Sequence, residues 1–139
     1  MNCFFCQNMG GEVVFNCDLY RVILVDDGDY PGYLRVVLNY HIKELTDLDM
    51  NDNLSVYKAV VKCEEVLRSV LNPDKINIAS FGNMTPHVHW HIIPRFIGDK
   101  HFPNPTWGTI TNADFQPSNE LLTKSKLLTN QLSSEFVKE

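Results

Sequence analysis

The stretch TPHVHWHIIPRF, residues 85–96, carries three of the five histidines of this chain at every second position. A β-strand sends alternate side chains to opposite faces, so His87, His89 and His91 project to one face while the apolar residues between them project to the other. Imidazole titrates near physiological pH, which suits it to nucleophilic attack, proton exchange or metal ligation. The pattern therefore predicts a strand with one core face and one chemically active face, and it leaves all three kinds of chemistry open.

Composition and charge limit the class of protein. With 139 residues, 44% hydrophobic and 11% aromatic, the chain fits a single domain of residues 1–139 that buries one core. A formal charge of −5 and an isoelectric point near 5.5 argue against nucleic-acid binding, which depends on Lys and Arg neutralising phosphates. The apolar runs are too short for a membrane span, and the start MNCFFCQNMGG lacks the layout of a signal peptide. We therefore expect a cytoplasmic protein.

Five segments have the pattern of strands and one has the pattern of a long helix. The expected strands are residues 12–16, 20–25, 34–39, 76–81 and 87–93, which are rich in β-branched and aromatic residues. The expected main helix covers residues 52–71, with an apolar stripe formed by Leu54, Tyr57, Val61, Leu67 and Val70. Together these elements predict an α+β fold in which a helix packs on an antiparallel sheet.

The C-terminal part of the chain has a different character. Residues 101–108, HFPNPTWG, hold too many prolines for a regular element and are expected to lie across the surface, in a position to line a pocket. Ser118 is expected to cap a last helix, and a frayed C-terminal tail is the alternative. The stripe of that helix consists of Leu121, Leu128, Leu132 and Phe136. We expect the core at about residues 1–100 and a C-terminal extension over residues 101–139.

The four cysteines are expected to be thiols or metal ligands rather than disulfides in a reducing compartment. Cys17 and Cys63 lie among strand-like and helix-like residues and are expected only to pack. Cys3 and Cys6 form a C-x-x-C motif, which by itself is compatible with zinc ligation, redox exchange or neither. A redox motif needs a strand before it and a helix after it, and that context is missing here.

The segment HVHWHII, residues 87–93, resembles the signature of the histidine triad (HIT) superfamily, which is His-x-His-x-His-x-x with apolar residues at x. The resemblance extends to LRVVLNYHIKELTDLD and to the leading Cys3-Phe4-Phe5-Cys6. INIASFGNMTPHVHWHIIPRF followed by HFPNPTWG looks most like a bacterial subfamily labelled diadenosine tetraphosphate hydrolase-like. The resemblance implies a HIT-like fold with a five-stranded antiparallel sheet, a homodimer, no organic cofactor, and action on nucleoside 5′-phosphates substituted at the α-phosphate.

The resemblance also implies roles for the triad. His89, the middle histidine, is the expected nucleophile, because an imidazole–phosphorus bond forms readily and is readily broken by water. Its attacking nitrogen must be unprotonated, so its other nitrogen should donate to a fixed acceptor such as a backbone carbonyl. His91 is expected to contact the same phosphate and stabilise its charge.

Asp26, Asn77 and Asn83 match positions that contact substrate in the family, and Thr85 is a fourth candidate for substrate contact. Asn83 stands where better-known branches carry the longer Gln. Met84 stands where those branches usually carry Ser or Thr and cannot donate a hydroxyl hydrogen bond, so Thr85 or the backbone N–H groups of residues 82–85 are the expected substitutes. Asp26 is expected to accept ribose hydroxyl groups, with Asp27 as a competing candidate, and Asn77 to contact phosphate or ribose.

Several branches of the family bind a structural zinc ion through a cysteine pair, an upstream histidine and the first triad histidine. Those positions correspond to Cys3, Cys6, His41 and His87, and two thiolates with two imidazoles complete a tetrahedral site. The alternative is that His41 only hydrogen-bonds His87 and the thiols stay free. His101 lies outside the matched motifs and is expected at the surface or at a pocket edge.

The favoured interpretation is a nucleotide hydrolase or nucleotidyltransferase that acts on a purine nucleotide or dinucleotide through a covalent nucleotidyl-His89 intermediate. A second interpretation is a zinc-dependent hydrolase whose metal is held by all three triad histidines. Against it, the first and third residues of the triad are roughly 13 Å apart along a straight strand with a rise of about 3.3 Å per residue. A third interpretation is a nucleotide-binding interaction protein with weak catalysis, which Met84 favours.

Overall fold

The structure is a computed structural model, and it describes residues 2–138. In chain order its elements are α1 (Phe4–Gln7), β1 (Glu12–Asn16), β2 (Tyr20–Leu24), β3 (Leu34–Leu38), a 3₁₀ helix (Leu45–Asp47), α2 (Met50–Leu71), β4 (Lys75–Ser80), β5 (His89–Arg95), α3 (Asn119–Ser125) and α4 (Leu128–Val137). None of the helices within residues 2–138 combines the length and the hydropathy needed to cross a membrane.

The five strands form one antiparallel sheet in the order β1-β2-β3-β5-β4. The expected α+β fold with a five-stranded antiparallel sheet is therefore confirmed. β5 lies between β3 and β4, so it is hydrogen-bonded along both edges, and its pairing with β3 places Val37 opposite His89 and Arg35 opposite His91. Gly32 leads into β3 at φ +89°, and a Cβ atom there would lie 2.6 Å from Leu71 Cδ1, so this turn requires glycine.

The alternation of β3 separates the two faces of the sheet. The residues Leu34, Val36 and Leu38 belong to the main hydrophobic core, which lies between the sheet and α2. Val37 points the other way and packs with Ile23 of β2 and Phe5 of α1 in a second cluster. The short helix α1 therefore covers part of the sheet face that bears the histidines, while α2 covers the opposite face.

The predicted helix α2 is present, but its predicted apolar stripe is only partly right, since Leu67 and Val70 pack on the main core and the other three residues do not. Leu54, Tyr57 and Val61 are 50%, 55% and 41% exposed, whereas Leu67 is fully buried. The residues that α2 buries are Val56, Ala59, Val60, Cys63, Val66, Leu67 and Leu71. Apolar side chains occupy two faces of this helix, and their spacing alone does not tell which face the sheet covers. Cys63 lies within the core, as expected.

The C-terminal segment forms helices rather than a frayed tail. The side chain of Ser118 accepts a hydrogen bond from the Leu121 N–H group and caps α3, as expected, but the single predicted helix is divided into α3 and α4. In α4, Leu128, Leu132 and Phe136 are 2% exposed or less and pack in the main core. Residues of the predicted C-terminal extension thus fill part of the same hydrophobic core as α2 and the sheet.

Candidate functional site

A cavity of about 440 Å³ opens on the histidine-bearing face of the sheet. Its floor is formed by His89 and His91 of β5 and by Arg35 of β3. Its walls are the two phenylalanines of α1, the β4–β5 loop of residues 81–85, and Trp107 of the proline-rich segment, which was expected to line a pocket. The cavity therefore joins two imidazoles and a guanidinium to a mostly aromatic wall.

His89 is held in one orientation and one tautomer. The side chain is 6% exposed, and its Nδ1 lies 2.6 Å from the carbonyl oxygen of His87. A carbonyl oxygen can only accept, so Nδ1 carries the proton and donates, and the lone pair is on Nε2. Burial, assisted by the charge of Arg35, lowers the pKa of His89, so the ring is neutral at pH 7. The backbone acceptor expected for the nucleophile is present.

His91 has the opposite arrangement of its ring nitrogens. The Tyr33 hydroxyl oxygen lies 2.5 Å from His91 Nδ1 and also accepts a hydrogen bond from Arg35 Nη2 at 3.5 Å, so we assign the hydroxyl proton to the contact with His91. Nε2 of His91 then carries the ring proton and is a donor. Burial, followed by the charge of Arg35, lowers the pKa of His91 to about 4, so the ring is a neutral donor at pH 7.

His87 differs from the other two because it precedes β5, which begins at His89 rather than at the expected residue 87. Its side chain is 1% exposed, and Nε2 lies 2.7 Å from the carbonyl oxygen of Leu38. Nδ1 lies 3.4 Å from the sulfur of Cys3 and 3.6 Å from that of Cys6. The first triad histidine is thus turned toward the N-terminal cysteines and not into the cavity.

The four residues predicted as zinc ligands lie together. One ligand atom from each of Cys3, Cys6, His41 and His87 lies within 4.8 Å of the others. His41 Nδ1 lies 3.3 Å from Cys6 Sγ. In a tetrahedral zinc site, Zn–S bonds of about 2.3 Å and Zn–N bonds of about 2.0 Å separate sulfur from nitrogen by about 3.5 Å. The spacing and the donor set both fit zinc.

The cysteine segment is also part of the cavity wall. Between the cysteines, Phe5 places its ring centroid 4.7 Å from that of His89. The buried Arg21 guanidinium donates to the carbonyl oxygens of Phe5, Asn8 and Met9 and fixes the end of α1 to β2. A metal ion that binds Cys3 and Cys6 would therefore also restrain Phe5, which lies between them and packs beside His89.

The β4–β5 loop brings two of the four predicted substrate-contact residues to the cavity. Asn83 and Thr85 both line it, and Met84 between them is 97% exposed. The Thr85 carbonyl oxygen accepts a hydrogen bond from the His87 N–H group, so this loop also positions the triad. Both residues are thus placed where they can reach a ligand in the cavity, and the substrate contacts of Asn83 and Thr85 stay predictions.

The other two predicted contact residues do not line the cavity. Asp26 is exposed in the turn after β2, and the competing Asp27 accepts a hydrogen bond from the Asp29 N–H group. The Asn77 side-chain oxygen accepts from the Arg95 guanidinium at 2.8 Å. His101 is half-buried, with Nδ1 2.6 Å from the Tyr30 hydroxyl oxygen, rather than at the pocket edge.

The sequence analysis did not identify four residues of the site. Arg35, Phe81 and Trp107 line the cavity, although the segment that contains Trp107 was expected to do so, and Tyr33 contacts His91. Arg35 could have been identified from the sequence, since it is the one charged residue in the strand LRVVL and alternation places it on the face opposite to Leu34, Val36 and Leu38. The other three are aromatic residues next to turns, which the sequence does not distinguish from packing residues.

The three triad histidines do not form a shared metal-binding site within residues 2–138. Within residues 2–138, the group of side chains that could hold a metal is the cysteine–histidine quartet, which includes His87 but not His89 or His91. The arrangement instead offers an unprotonated ring nitrogen, a neutral N–H donor and a guanidinium in one cavity. Those groups suit attack on a phosphate ester.

The sequence matches the family model described as the HIT domain over residues 7–98. An uncharacterized HIT-like protein of Methanocaldococcus jannaschii is 30% identical over 121 residues, which cover 81% of this chain and 92% of that protein. A bis(5′-nucleosyl)-tetraphosphatase (asymmetrical) of Schizosaccharomyces pombe is 27% identical over 92 residues, which cover 63% of this chain and 50% of that protein. The chain thus spans half the length of this second relative.

Solved structures share the fold. A histidine triad protein from Bradyrhizobium japonicum has a TM-score of 0.73 and 26% identity, covering 91% of this chain and 90% of that one. A Zn-bound histidine triad family protein from Mycobacterium smegmatis has a TM-score of 0.66 and 19% identity, covering 100% of this chain and 99% of that one. The second similarity is one of fold alone.

Proposed function

The chain belongs to the HIT domain family, and we propose that it is a nucleotide hydrolase or nucleotidyltransferase that cleaves at the α-phosphate of nucleoside 5′-phosphate derivatives. The observation that carries this proposal is the 2.6 Å hydrogen bond from His89 Nδ1 to the His87 carbonyl oxygen, which leaves the lone pair on Nε2. A buried, neutral imidazole of fixed orientation that lines a cavity is what a nucleophile at phosphorus requires.

The reaction has two steps. In the first, His89 Nε2 attacks the α-phosphorus, a P–N bond forms, and the bond to the leaving group breaks with its electron pair going to the leaving group. In the second, a water oxygen attacks phosphorus, the P–N bond breaks, the electron pair returns to Nε2, and the water proton goes to solvent. The His91 Nε2–H group donates to a non-bridging oxygen in both steps and stabilises its charge.

The aromatic wall supports a nucleoside as the transferred part. Phe81 and Trp107 meet edge to face with ring centroids 4.7 Å apart, and both line the cavity beside His91. Aromatic faces bind nucleobases by stacking. The fission-yeast relative is named for a dinucleoside tetraphosphate, which agrees with a purine nucleotide or dinucleotide as substrate.

We propose a structural zinc ion held by Cys3, Cys6, His41 and His87. The distances within the quartet and the Zn-bound fold neighbour support it. The Nε2–H group of His87 donates to the Leu38 carbonyl oxygen, which orients Nδ1 toward the sulfurs in the way that outer hydrogen bonds orient metal ligands. When bound, the ion supplies a cross-link between α1 and the segment before β5.

We also propose that residues 1–139 act as one domain, that the protein is cytoplasmic and that it forms a homodimer, as the resemblance implies. β4 is an edge strand of the sheet and presents the 40% exposed Ile78. Such an edge can pair with that of a second copy. Light scattering on a size-exclusion column measures the mass directly, and a monomeric mass at micromolar concentration contradicts the dimer.

A nucleotide-binding protein with weak catalysis is a second candidate. It is favoured by Met84, which is 97% exposed at the cavity and offers no hydroxyl group. Leaving-group protonation then depends on other donors, and a site that lacks one binds nucleotide without turning it over. Nucleotide binding in the absence of product distinguishes this candidate from the enzyme.

Intact-protein mass spectrometry after a rapid, acid-free quench tests the proposed function. The wild-type protein is mixed with diadenosine tetraphosphate or adenosine 5′-phosphoramidate, alongside His89→Ala and the control His101→Gln, which changes a histidine outside the cavity. We expect a transient increase of one adenylyl group in wild type and control and none in His89→Ala. Product without an adduct on His89, or an adduct that survives in His89→Ala, contradicts the proposed intermediate.

A further inference from the structure

Arg35 occupies an unusual position for a charged side chain. It lies in the middle of β3, in a strand whose other residues are Leu and Val, and it is paired directly opposite His91 on β5. It is half-buried and lines the cavity together with His89 and His91. Its side chain therefore projects onto the face of the sheet where the proposed reaction takes place.

The guanidinium has no counterion within the described chain. Among residues 2–138, no carboxylate lies within ion-pair distance of Arg35, whereas the buried Arg95 is paired with Asp99 at 2.8 Å. The Nε–H group of Arg35 is buried and has no hydrogen-bond partner among those residues. Buried polar groups are nearly always satisfied, so an unpaired donor on a permanent cation needs an explanation.

The contacts that Arg35 does make hold it in place without neutralising it. The guanidinium carbon lies 5.2 Å from the centroid of the Tyr33 ring, and Nη2 lies 3.5 Å from the Tyr33 hydroxyl oxygen. Its charge also acts on the neighbouring His91 ring, since it contributes to the lowered pKa of that imidazole. A fixed cation next to the reacting groups attracts an anion to this part of the cavity.

We propose that Arg35 binds the phosphate chain that leaves when His89 takes the nucleotidyl group, so that the natural substrate carries an anionic leaving group, as dinucleoside polyphosphates do. This inference rests on the proposed function and specifies the leaving group for the same site. A guanidinium presents a planar fork of N–H donors that matches two phosphate oxygens, and the unpaired Nε–H belongs to that fork.

The chemistry of the leaving group distinguishes two substrate classes. When a polyphosphate leaves, the oxygen that was bonded to the α-phosphorus gains negative charge, and a nearby guanidinium stabilises that charge as it develops. When an amine leaves, its nitrogen must gain a proton, and a nearby cation opposes the positive charge that results. Arg35 therefore favours the first class and disfavours the second.

The test uses two substrates that share the adenylyl group and differ in the leaving group: diadenosine tetraphosphate and adenosine 5′-phosphoramidate. The variants are Arg35→Met, which removes the charge, and Arg35→Lys, which keeps it without the planar fork. Arg68→Met, at an exposed arginine of α2, is the matched control. We expect Arg35→Met to lower kcat/KM about 100-fold for the tetraphosphate. The phosphoramidate should change less than about 3-fold, and Arg35→Lys should recover part of the loss.

Other outcomes overturn the inference. An equal loss with both substrates assigns Arg35 to the shared α-phosphate, and no loss with either removes it from substrate binding. Circular dichroism establishes that each variant is folded, and if Arg35→Met is not, Arg35→Gln takes its place.

Binding of inorganic tripolyphosphate, measured by calorimetry, separates this inference from the proposed function. If wild type turns over neither substrate yet binds tripolyphosphate, and Arg35→Met does not, the proposed reaction fails while the anion site stands. If wild type does not bind tripolyphosphate and turns over neither substrate, both proposals fail.

Discussion

The Tyr33 hydroxyl group lies 2.5 Å from His91 Nδ1, and with its proton assigned to this contact it determines which nitrogen of His91 faces the cavity as a donor. Tyr33 immediately precedes β3 and reaches His91 on the neighbouring strand β5. Tyr33 does not itself line the cavity, and its hydroxyl group meets the cavity lining at the His91 ring and the Arg35 guanidinium. We therefore expect Tyr33 to be a positioning residue that acts on the proposed reaction through His91.

Tyr33→Phe tests this relationship. The phenylalanine keeps the ring but loses the donor, and the loss of one neutral hydrogen bond, about 1 kcal/mol, lowers kcat about 5-fold with KM unchanged. Steady-state kinetics on diadenosine tetraphosphate measures the effect, and ¹⁵N NMR of the His91 ring reports the tautomer. Tyr57→Phe, at an exposed tyrosine of α2, is the control. A change confined to KM, or an unchanged His91 tautomer, argues against the positioning role.

The lowered pKa of His91 predicts a specific loss of stability in acid. The pKa of His91 is about 4 in the folded chain and its ordinary value is 6.5. Between these two pH values His91 is therefore protonated in the unfolded chain and neutral in the folded chain. The contribution of His91 to stability is therefore present above pH 6.5 and is lost as the pH falls toward 4. Urea unfolding between pH 7 and pH 4.5 should show a smaller loss for His91→Gln than for wild type. Equal losses in the two proteins contradict the shift.

The Coulombic part of that shift can be tested separately. Burial is its largest cause and the charge of Arg35 is the next, so Arg35→Met should raise the pKa of His91 only part of the way toward 6.5. An NMR titration of the ring resonances measures this directly. The control Arg68→Met should leave the His91 titration where it is in wild type.

The quartet of cysteines and histidines predicts zinc binding with a defined stoichiometry. Elemental analysis should find about one zinc ion per chain in wild type and much less in Cys3→Ser and Cys6→Ser, because zinc strongly prefers thiolate to a hydroxyl group. Cys17→Ser is the matched control, since Cys17 packs against the main core with Sγ 3.5 Å from the Tyr20 carbonyl oxygen and does not belong to the quartet. A chelator should lower the Tm of wild type and of Cys17→Ser but not of the two ligand variants. Full zinc content in Cys3→Ser rules out the proposed ligand set.

The aromatic wall predicts an effect on substrate binding rather than on chemistry. Stacking of a base on an aromatic side chain contributes about 1–3 kcal/mol, so Phe81→Ala should raise KM for diadenosine tetraphosphate about 10-fold and leave kcat within about 2-fold. Trp107→Phe should remove most of the fluorescence change caused by adenosine monophosphate, because Trp90 does not line the cavity. Ile97→Ala, at a residue 74% exposed and outside the cavity, is the control for Phe81→Ala. A fall in kcat at constant KM places Phe81 nearer the reacting atoms than proposed.

The sequence predicted the sheet and the triad because their signals are local. Strand alternation and turn residues identify each strand within two residues of its observed ends, and the spacing of His89 and His91 alone places both on one face. The zinc quartet was predicted by resemblance, and the structure brings its four residues together from three separate segments. Local pattern and family motif were sufficient for these features.

The features that the sequence did not predict depend on tertiary contacts. The buried face of α2 is chosen by the sheet, and the helix has apolar residues on more than one side. Tyr33 and His91 are 58 residues apart in the chain and meet only because β3 and β5 are neighbours. Asn77 is engaged by Arg95 from the adjacent strand, a partner that its position within its own strand does not reveal.

His87 contributes two groups that differ in how they respond to mutation. Its imidazole belongs to the cysteine cluster, and no other side chain can replace it there without changing the ligand set. Its carbonyl oxygen, which fixes the tautomer of His89, is part of the backbone and is supplied by any residue at that position. A substitution at residue 87 can therefore remove the proposed zinc site and keep the acceptor for the proposed nucleophile. The proposed zinc site and the proposed nucleophile can thus be lost independently in evolution, although one residue serves both.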